Sequence, residues 1–137
     1  MTKKFKKGIQ DLVAEAEAAI ETISLKDAIA RYGSDDLMFV DVRDIRELER
    51  DGMIPGAYHV PRGMAEFWFD PGSPYFKEAL GDDNKTYVLY CAAAWRSALT
   101  AKTLKDMGME NVVQFADGFK AWKEAGGPVG QKERKDA

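Results

Sequence analysis

The stretch Tyr87-Val88-Leu89-Tyr90-Cys91-Ala92-Ala93-Ala94-Trp95-Arg96-Ser97 passes from a strand through a short loop into a helix. Tyr87 to Tyr90 is apolar throughout, as in a strand buried on both faces, and such strands are typical of parallel sheets. The helix is expected from Ser97 to Met107, with Ala98, Leu99, Ala101 and Leu104 at helical spacing and Gly108 at its end. Two further runs of the same kind, Leu37 to Val42 and Val112 to Phe115, read as buried strands. Helical patterns lie around them. Gly8 to Thr22 places Ile9, Leu12, Val13, Ala16, Ala19, Ile20 and Ile23 on a helical period, and Ser24 caps a second helix reaching Tyr32. Asp44 to Arg50 is a charged turn or two broken by Asp51-Gly52, and Gly118 to Ala125 is stopped by Gly126-Gly127-Pro128. Met53 to Pro61 reads as a turn leading into a short strand. Strands alternating with helices predict an α/β fold, whose ligand site lies at the carboxyl ends of the strands.

The remaining arithmetic narrows the chemistry. With 137 residues the expectation is one domain, large enough to hold a core without covalent staples. One cysteine cannot form an internal disulfide, and one cysteine with one histidine cannot form the usual zinc cluster, so no metal is expected. Twenty basic against 23 acidic residues give no bias toward nucleic acid. The basic start is followed by a helix interrupted by Asp11, Glu15, Glu17 and Glu21, so neither a signal sequence nor a membrane span is expected. A free cysteine without an export signal points to the cytoplasm.

The only cysteine is the first residue after a buried strand. A tight strand-loop-helix turn aims loop N–H groups and a helix N-terminus at that point, which favours a thiolate over a thiol and makes a nest for an anion. Arg96 adds a permanent charge and a two-pronged donor. Cys91 is therefore a candidate nucleophile, with Ala92, Ala93, Ala94, Trp95, Arg96 and Ser97 as its substrate-binding cradle. The competing reading makes Cys91 a small buried hydrophobe, Arg96 a surface charge, and Trp95 either the mouth of the site or packing beneath the loop. His59 reads as a structural histidine. The aromatic segment 64–76 either flanks the site or covers an edge of the sheet.

Cys91 to Arg96 followed by Ser97 resembles the C-x4-R-[ST] active loop of single-domain rhodaneses. Phe39-Val40-Asp41-Val42-Arg43 with Glu47, then Gly52-Met53-Ile54-Pro55-Gly56-Ala57, then Asp117-Gly118-Phe119-Lys120-Ala121-Trp122 with Gly126 and Pro128, resemble three further signatures of that family in the same order. Met53 stands where the family carries histidine, Asp117 where it carries the first glycine of a pair, and Ala94 where similar loops carry glycine. If position 94 needs a positive φ, alanine costs roughly 1 kcal/mol there.

The resemblance implies a three-layer fold with about five parallel strands and helices on both faces. The rhodanese-like domain is expected over 23–130, preceded by the helical extension over 1–22 that the periodicity predicts and followed by a charged tail over 131–137 whose composition predicts disorder. The implied activity moves a sulfane sulfur from a donor such as thiosulfate to cyanide or a thiol through a Cys91 persulfide, without a cofactor. Asp41 and Arg43 are expected to be structural support. The acceptor must be external and could be a protein, and the chain is expected to be a monomer or homodimer, the Glu-rich first helix being a candidate dimer face. Two alternatives remain. One is a non-catalytic rhodanese-like binding or persulfide-sensing module. The other is a phosphatase or arsenate reductase of the same fold, whose loop has five intervening residues instead of four.

Overall fold

The computed structural model describes residues 4–132. Five parallel strands form one sheet: β1 (Glu21–Ile23), β2 (Leu37–Asp41), β3 (Tyr58–His59), β4 (Thr86–Tyr90) and β5 (Val112–Phe115), in the order β1-β5-β4-β2-β3. Six α-helices accompany them: α1 (Ile9–Ala19), α2 (Leu25–Arg31), α3 (Ile45–Asp51), α4 (Ala65–Phe69), α5 (Trp95–Asp106) and α6 (Gly118–Glu124).

Strand side chains alternate between faces, which gives the sheet two cores. Val40, Tyr87, Leu89, Cys91 and Val112 point to one face and pack with Ala65, Phe69, Ala101 and Leu104 from α4 and α5. Leu37, Phe39, Val88, Tyr90, Val113 and Phe115 point to the other and pack with Ala28, Phe119 and Trp122 from α2 and α6. The central strands are buried on both faces, which accounts for their largely apolar runs. Phe39, Phe115 and Trp122 meet with ring centroids 5.4–6.3 Å apart, separations within the range of favourable aromatic pairing.

The first helix is shorter than its periodicity predicts. It ends at Ala19, and Glu21–Ile23 instead pairs with Val113–Phe115 as an edge strand. Ile20 and Ile23 fall on the helical repeat of Ala16, but pairing with an open sheet edge overrides so weak a local preference. Within the segment expected to be a tail, Gln131 and Lys132 are without regular structure; residues 133–137 lie outside the described residues, as do 1–3. Gly130 is tied to Met53 by two backbone hydrogen bonds of 2.7 and 3.0 Å.

Of the aromatic segment, Phe69 packs edge-on to Tyr87 within the α4–α5 core. Phe69, Leu80, Leu104 and Met109 line a groove of about 520 Å³. This groove lies beside Asn111 and Asp83, at the amino ends of β5 and β4 and opposite Cys91. The part of the segment around Phe69 therefore covers a face of the sheet, not its edge.

Candidate active site

Register brings the carboxyl ends of the central strands together. Asp41 pairs with Tyr90 and Leu89 with Gln114, so Cys91 emerges between the end of β2 and the end of β5. Helix α5 starts at Trp95, two residues earlier than the apolar pattern suggests, which shortens the true loop to residues 91–94. Trp95 and Arg96 are thus the first turn of a helix. Trp95 is 48% exposed and does not pack beneath the loop.

The loop is held from below. The Phe119 N–H donates to the Cys91 carbonyl at 2.8 Å, and the Lys120 N–H donates to the Ala92 carbonyl at 3.2 Å. With those carbonyls turned toward α6, the N–H groups of residues 92–96 donate to no backbone carbonyl among the described residues. Helix ends normally satisfy such donors with a Ser, Thr, Asp or Asn cap. Here the cap position is Ala94, which has no side-chain acceptor. One donor of the turn is engaged by the candidate nucleophile: the Ser97 N–H donates to Cys91 Sγ at 3.4 Å. Cys91 is only 1% exposed, deeper than a loop residue standing above the sheet would be.

Two residues flanking this cradle are left-handed without being glycine, Ala94 at φ 75° and Asp117 at φ 70°. These are the two positions where the sequence departs from a glycine pattern. Asp tolerates that region better than Ala does. Ala94→Gly is expected to gain about 0.5–1 kcal/mol, the relief of strain less the extra freedom of the unfolded chain. Urea denaturation of the two proteins checks this.

Arg96 is held by an acid. Its Nη1 and Nη2 donate to Glu47 Oε2 and Oε1 at 2.7 and 2.9 Å. Glu47 is presented by the first turn of α3, where it also accepts from the N–H of Asp44 as half of a capping box. The Arg46 guanidinium beside Asp44 holds that cap's carboxyl down at about 2. Arg96 likewise holds the Glu47 carboxyl below its usual range. A depressed carboxylate stabilises the fold above its unfolded value, 4.5 here, and loses that contribution as pH falls through its folded value. Arg96 is well exposed, so the pair is worth no more than about 1 kcal/mol. Glu47→Gln is therefore expected to be slightly less stable than wild type at neutral pH. The two denaturation curves should converge in acid below that window.

Asp41 and Arg43 lie beneath this pair, both buried. Arg43 donates through Nε and Nη2 to the two Asp41 oxygens at 3.0 and 2.7 Å, and through Nη2 to the Gly52 carbonyl at 2.8 Å. Its guanidinium lies 4.4 Å from the centre of the Phe119 ring. His59 Nε2–H donates to the Arg43 carbonyl at 2.7 Å, which makes the imidazole part of this corner.

The sequence reading missed a second tier. The Cys91 thiol donates to Ser97 Oγ at 3.5 Å, and the Ser97 hydroxyl donates to Gln114 Oε1 at 2.7 Å. Gln114 Nε2 in turn donates to Thr22 Oγ1 at 3.3 Å. The available signal was one polar residue inside the otherwise apolar run Val112 to Phe115, since a buried amide must find partners.

Comparison with known proteins decides the family. Residues 24–125 match the family described as Rhodanese-like domain. The chain belongs to that family. Among solved rhodanese-like neighbours, the polysulfide-sulfur transferase homodimer of Wolinella succinogenes is 30% identical. It is matched over 88% of this chain and 85% of its own, with a TM-score of 0.68. A Rhodopseudomonas palustris protein of unknown function, suggested to be a tyrosine phosphatase, is 48% identical over 95% of this chain and 99% of its own, with a TM-score of 0.90. Among curated proteins, Bacillus subtilis YrkF, a candidate sulfur carrier, is 31% identical over 112 residues. Those residues are 80% of this rhodanese-like chain and 54% of YrkF, so the chain spans about half of that relative's length. No helix among the described residues is long and apolar enough to cross a membrane.

Proposed function

We propose that this rhodanese-like chain is a sulfurtransferase that carries sulfane sulfur as a Cys91 persulfide. The observation that carries the reading is a buried sulfur at the floor of a four-residue loop whose N–H groups are free. A buried nucleophile suits attack on a terminal atom, and the outer sulfur of thiosulfate or a polysulfide is terminal. The phosphorus of a phosphoester sits inside a tetrahedron of oxygens and needs a wider approach.

The Cys91 thiolate attacks the outer sulfur of the donor. The donor's S–S bond breaks, its electron pair leaves with sulfite, and a new S–S bond joins the sulfur to Cys91. The N–H groups of residues 92–96 hold the terminal sulfur anion. Arg96, which has N–H donors beyond the two engaged by Glu47, faces the sulfonate end of the donor. Cyanide or a thiolate then attacks the terminal sulfur and releases the Cys91 thiolate, so the cycle needs no oxidant or cofactor. The sequence holds one cysteine, so the acceptor comes from outside these 137 residues, either as a small thiol or on a partner protein. A reducing compartment such as the cytoplasm keeps Cys91 available.

The relation to the Rhodopseudomonas protein makes phosphoester hydrolysis the second reading. The loop length of four argues against it, because a shorter loop offers a tetrahedral anion fewer N–H groups.

Intact-mass measurement after incubation with thiosulfate tests both. Wild type should gain one sulfur atom, Cys91→Ala none, and cyanide should remove the sulfur as thiocyanate. Folded wild type that stays unmodified sinks the sulfurtransferase reading. Hydrolysis of an aryl phosphate by wild type and not by Cys91→Ala would replace it with the phosphatase one.

A further inference from the structure

The polar chain behind Cys91 runs across the sheet through one buried amide. Cys91, Ser97 and Gln114 are each at most 1% exposed, while Thr22 at the far end, on the edge strand β1, is exposed. As observed, every side-chain bond of this polar chain points outward, and the Ser97 backbone N–H points back to Cys91 Sγ at 3.4 Å. The thiol donates to Ser97, Ser97 to Gln114 Oε1, and Gln114 Nε2 to Thr22. In that polarity the sulfur donates to Ser97 Oγ, and the only donor among the described residues that reaches it is the Ser97 backbone N–H. Once Cys91 is a thiolate or a persulfide, Sγ has no proton and can only accept. The one hydroxyl proton of Ser97 then faces away from it, toward Gln114.

We propose that Gln114 is a positioning residue that acts through Ser97, its amide turning over when the Cys91 sulfur loses its proton so that the chain of hydrogen bonds reverses. This rests on the reading of Cys91 as a sulfur carrier. In the reversed state Thr22 O–H donates to Gln114 Oε1, Gln114 Nε2 donates to Ser97 Oγ, and Ser97 O–H donates to Cys91 Sγ. The two ends of an amide have nearly the same size, so the reversal exchanges O for N and rotates two hydroxyls without moving the backbone. Each buried group keeps a partner in both states. A buried leucine or methionine in this place would leave Ser97 with one bond fewer in either state, and a buried group left unpaired is costly. This accounts for an amide at a strand position otherwise given to Val and Phe.

A double-mutant cycle tests the proposal. The rate of Cys91 alkylation against pH, and the rate of sulfur loading from thiosulfate, are measured for wild type, Gln114→Glu, Ser97→Ala and the double variant. Burial raises the pKa of a carboxyl at this position, so the comparison is made at the alkaline end of the profile; ionised there, it only accepts, retains the Ser97 proton and withholds it from the sulfur. Gln114→Glu is expected to load about tenfold more slowly and to move the alkylation profile about one unit to higher pH, the scale of one hydrogen bond to a charged group. With Ser97→Ala present the same change should cost less than about threefold, because the connection is gone. The charges around the sulfur are Arg96 on α5, Glu47 on α3 and the Asp41–Arg43 pair at the end of β2. They are common to all four proteins and cancel in the cycle.

An equal effect of Gln114→Glu in both backgrounds overturns the proposal, since charge or misfolding alone would then explain it. Thermal melts report folding. Should the variant not fold, wild type labelled at the glutamine side-chain nitrogen gives the answer by NMR. The Nε2 protons should lie beside Thr22 at low pH and beside Ser97 once Cys91 has ionised, and protons that stay beside Thr22 overturn the idea. Wild type that takes no sulfur from thiosulfate counts against the carrier reading alone. The alkylation cycle still decides the role of Gln114.

Discussion

Arg43→Met should lower the unfolding free energy by about 3–5 kcal/mol, the cost of removing one partner from a buried ion pair. At about 3–4 °C per kcal/mol for a chain of this size, the melting temperature falls by roughly 10 °C or more. Three things are lost together. Asp41 keeps a buried carboxylate without its guanidinium bonds, the Gly52 carbonyl loses its donor, and the Phe119 ring loses the cation stacked on it. The size of the effect lies in what is left behind. Asp41→Asn combined with Arg43→Met should recover a substantial part of the loss, because no unpaired charge then remains. Urea denaturation of the two variants separates the worth of the pair from the penalty of an orphan. A single variant within about 1 kcal/mol of wild type would mean that water reaches Asp41.

Gly118→Ala should cost about 2–4 kcal/mol and abolish sulfur loading. Gly118 has φ +75°, and a Cβ there would stand 2.5 Å from the Ala92 carbonyl oxygen, 2.6 Å from its carbon and 2.7 Å from the Ala93 nitrogen. All three are backbone atoms of the loop that cradles Cys91, so no side chain can swing aside. The loop must lift, and lifting it breaks the bonds from Phe119 and Lys120 that turn its carbonyls downward. Gly126→Ala is the control. Its φ is +85°, but nothing lies within 4 Å of the added carbon, so it costs backbone strain alone, about 1 kcal/mol, and leaves sulfur loading intact. Calorimetry and intact-mass loading of the two variants distinguish strain from collision. Equal losses in both would show that the loop yields freely.

Much of this was legible in sequence because the central strands are buried on both faces. Leu37 to Val42, Tyr87 to Tyr90 and Val112 to Phe115 carry that burial as largely apolar runs, interrupted only by Asp41 and Gln114, and Cys91 follows one of them directly. The C-x4-R spacing and the three companion motifs pointed to the family, and the candidate site follows from them. What escaped was set by tertiary contact. The edge strand Glu21–Ile23 has no pattern of its own and exists because β5 offers it an open edge. The early start of α5 depends on Ala94 turning left-handed, which no propensity announces. Arg96 reads as a free anion clamp until Glu47, 49 residues earlier, closes on it. The partnership of Gln114 with Ser97 needs the register of β4 against β5, which a single chain read in order does not contain.

On the proposed sulfur-carrier reading, the missing side-chain cap of α5 would tie sulfur occupancy to folding. A helix capped by an alanine leaves its first N–H groups without a side-chain acceptor. A terminal sulfur anion seated there supplies the acceptor that a serine or aspartate would supply elsewhere. The cargo then serves as the helix cap, present in the folded state and absent from the unfolded chain, and by linkage it favours the fold. On that reading, Ala94 would leave completion of the helix to the bound sulfur, and release to an acceptor would give that stabilisation back.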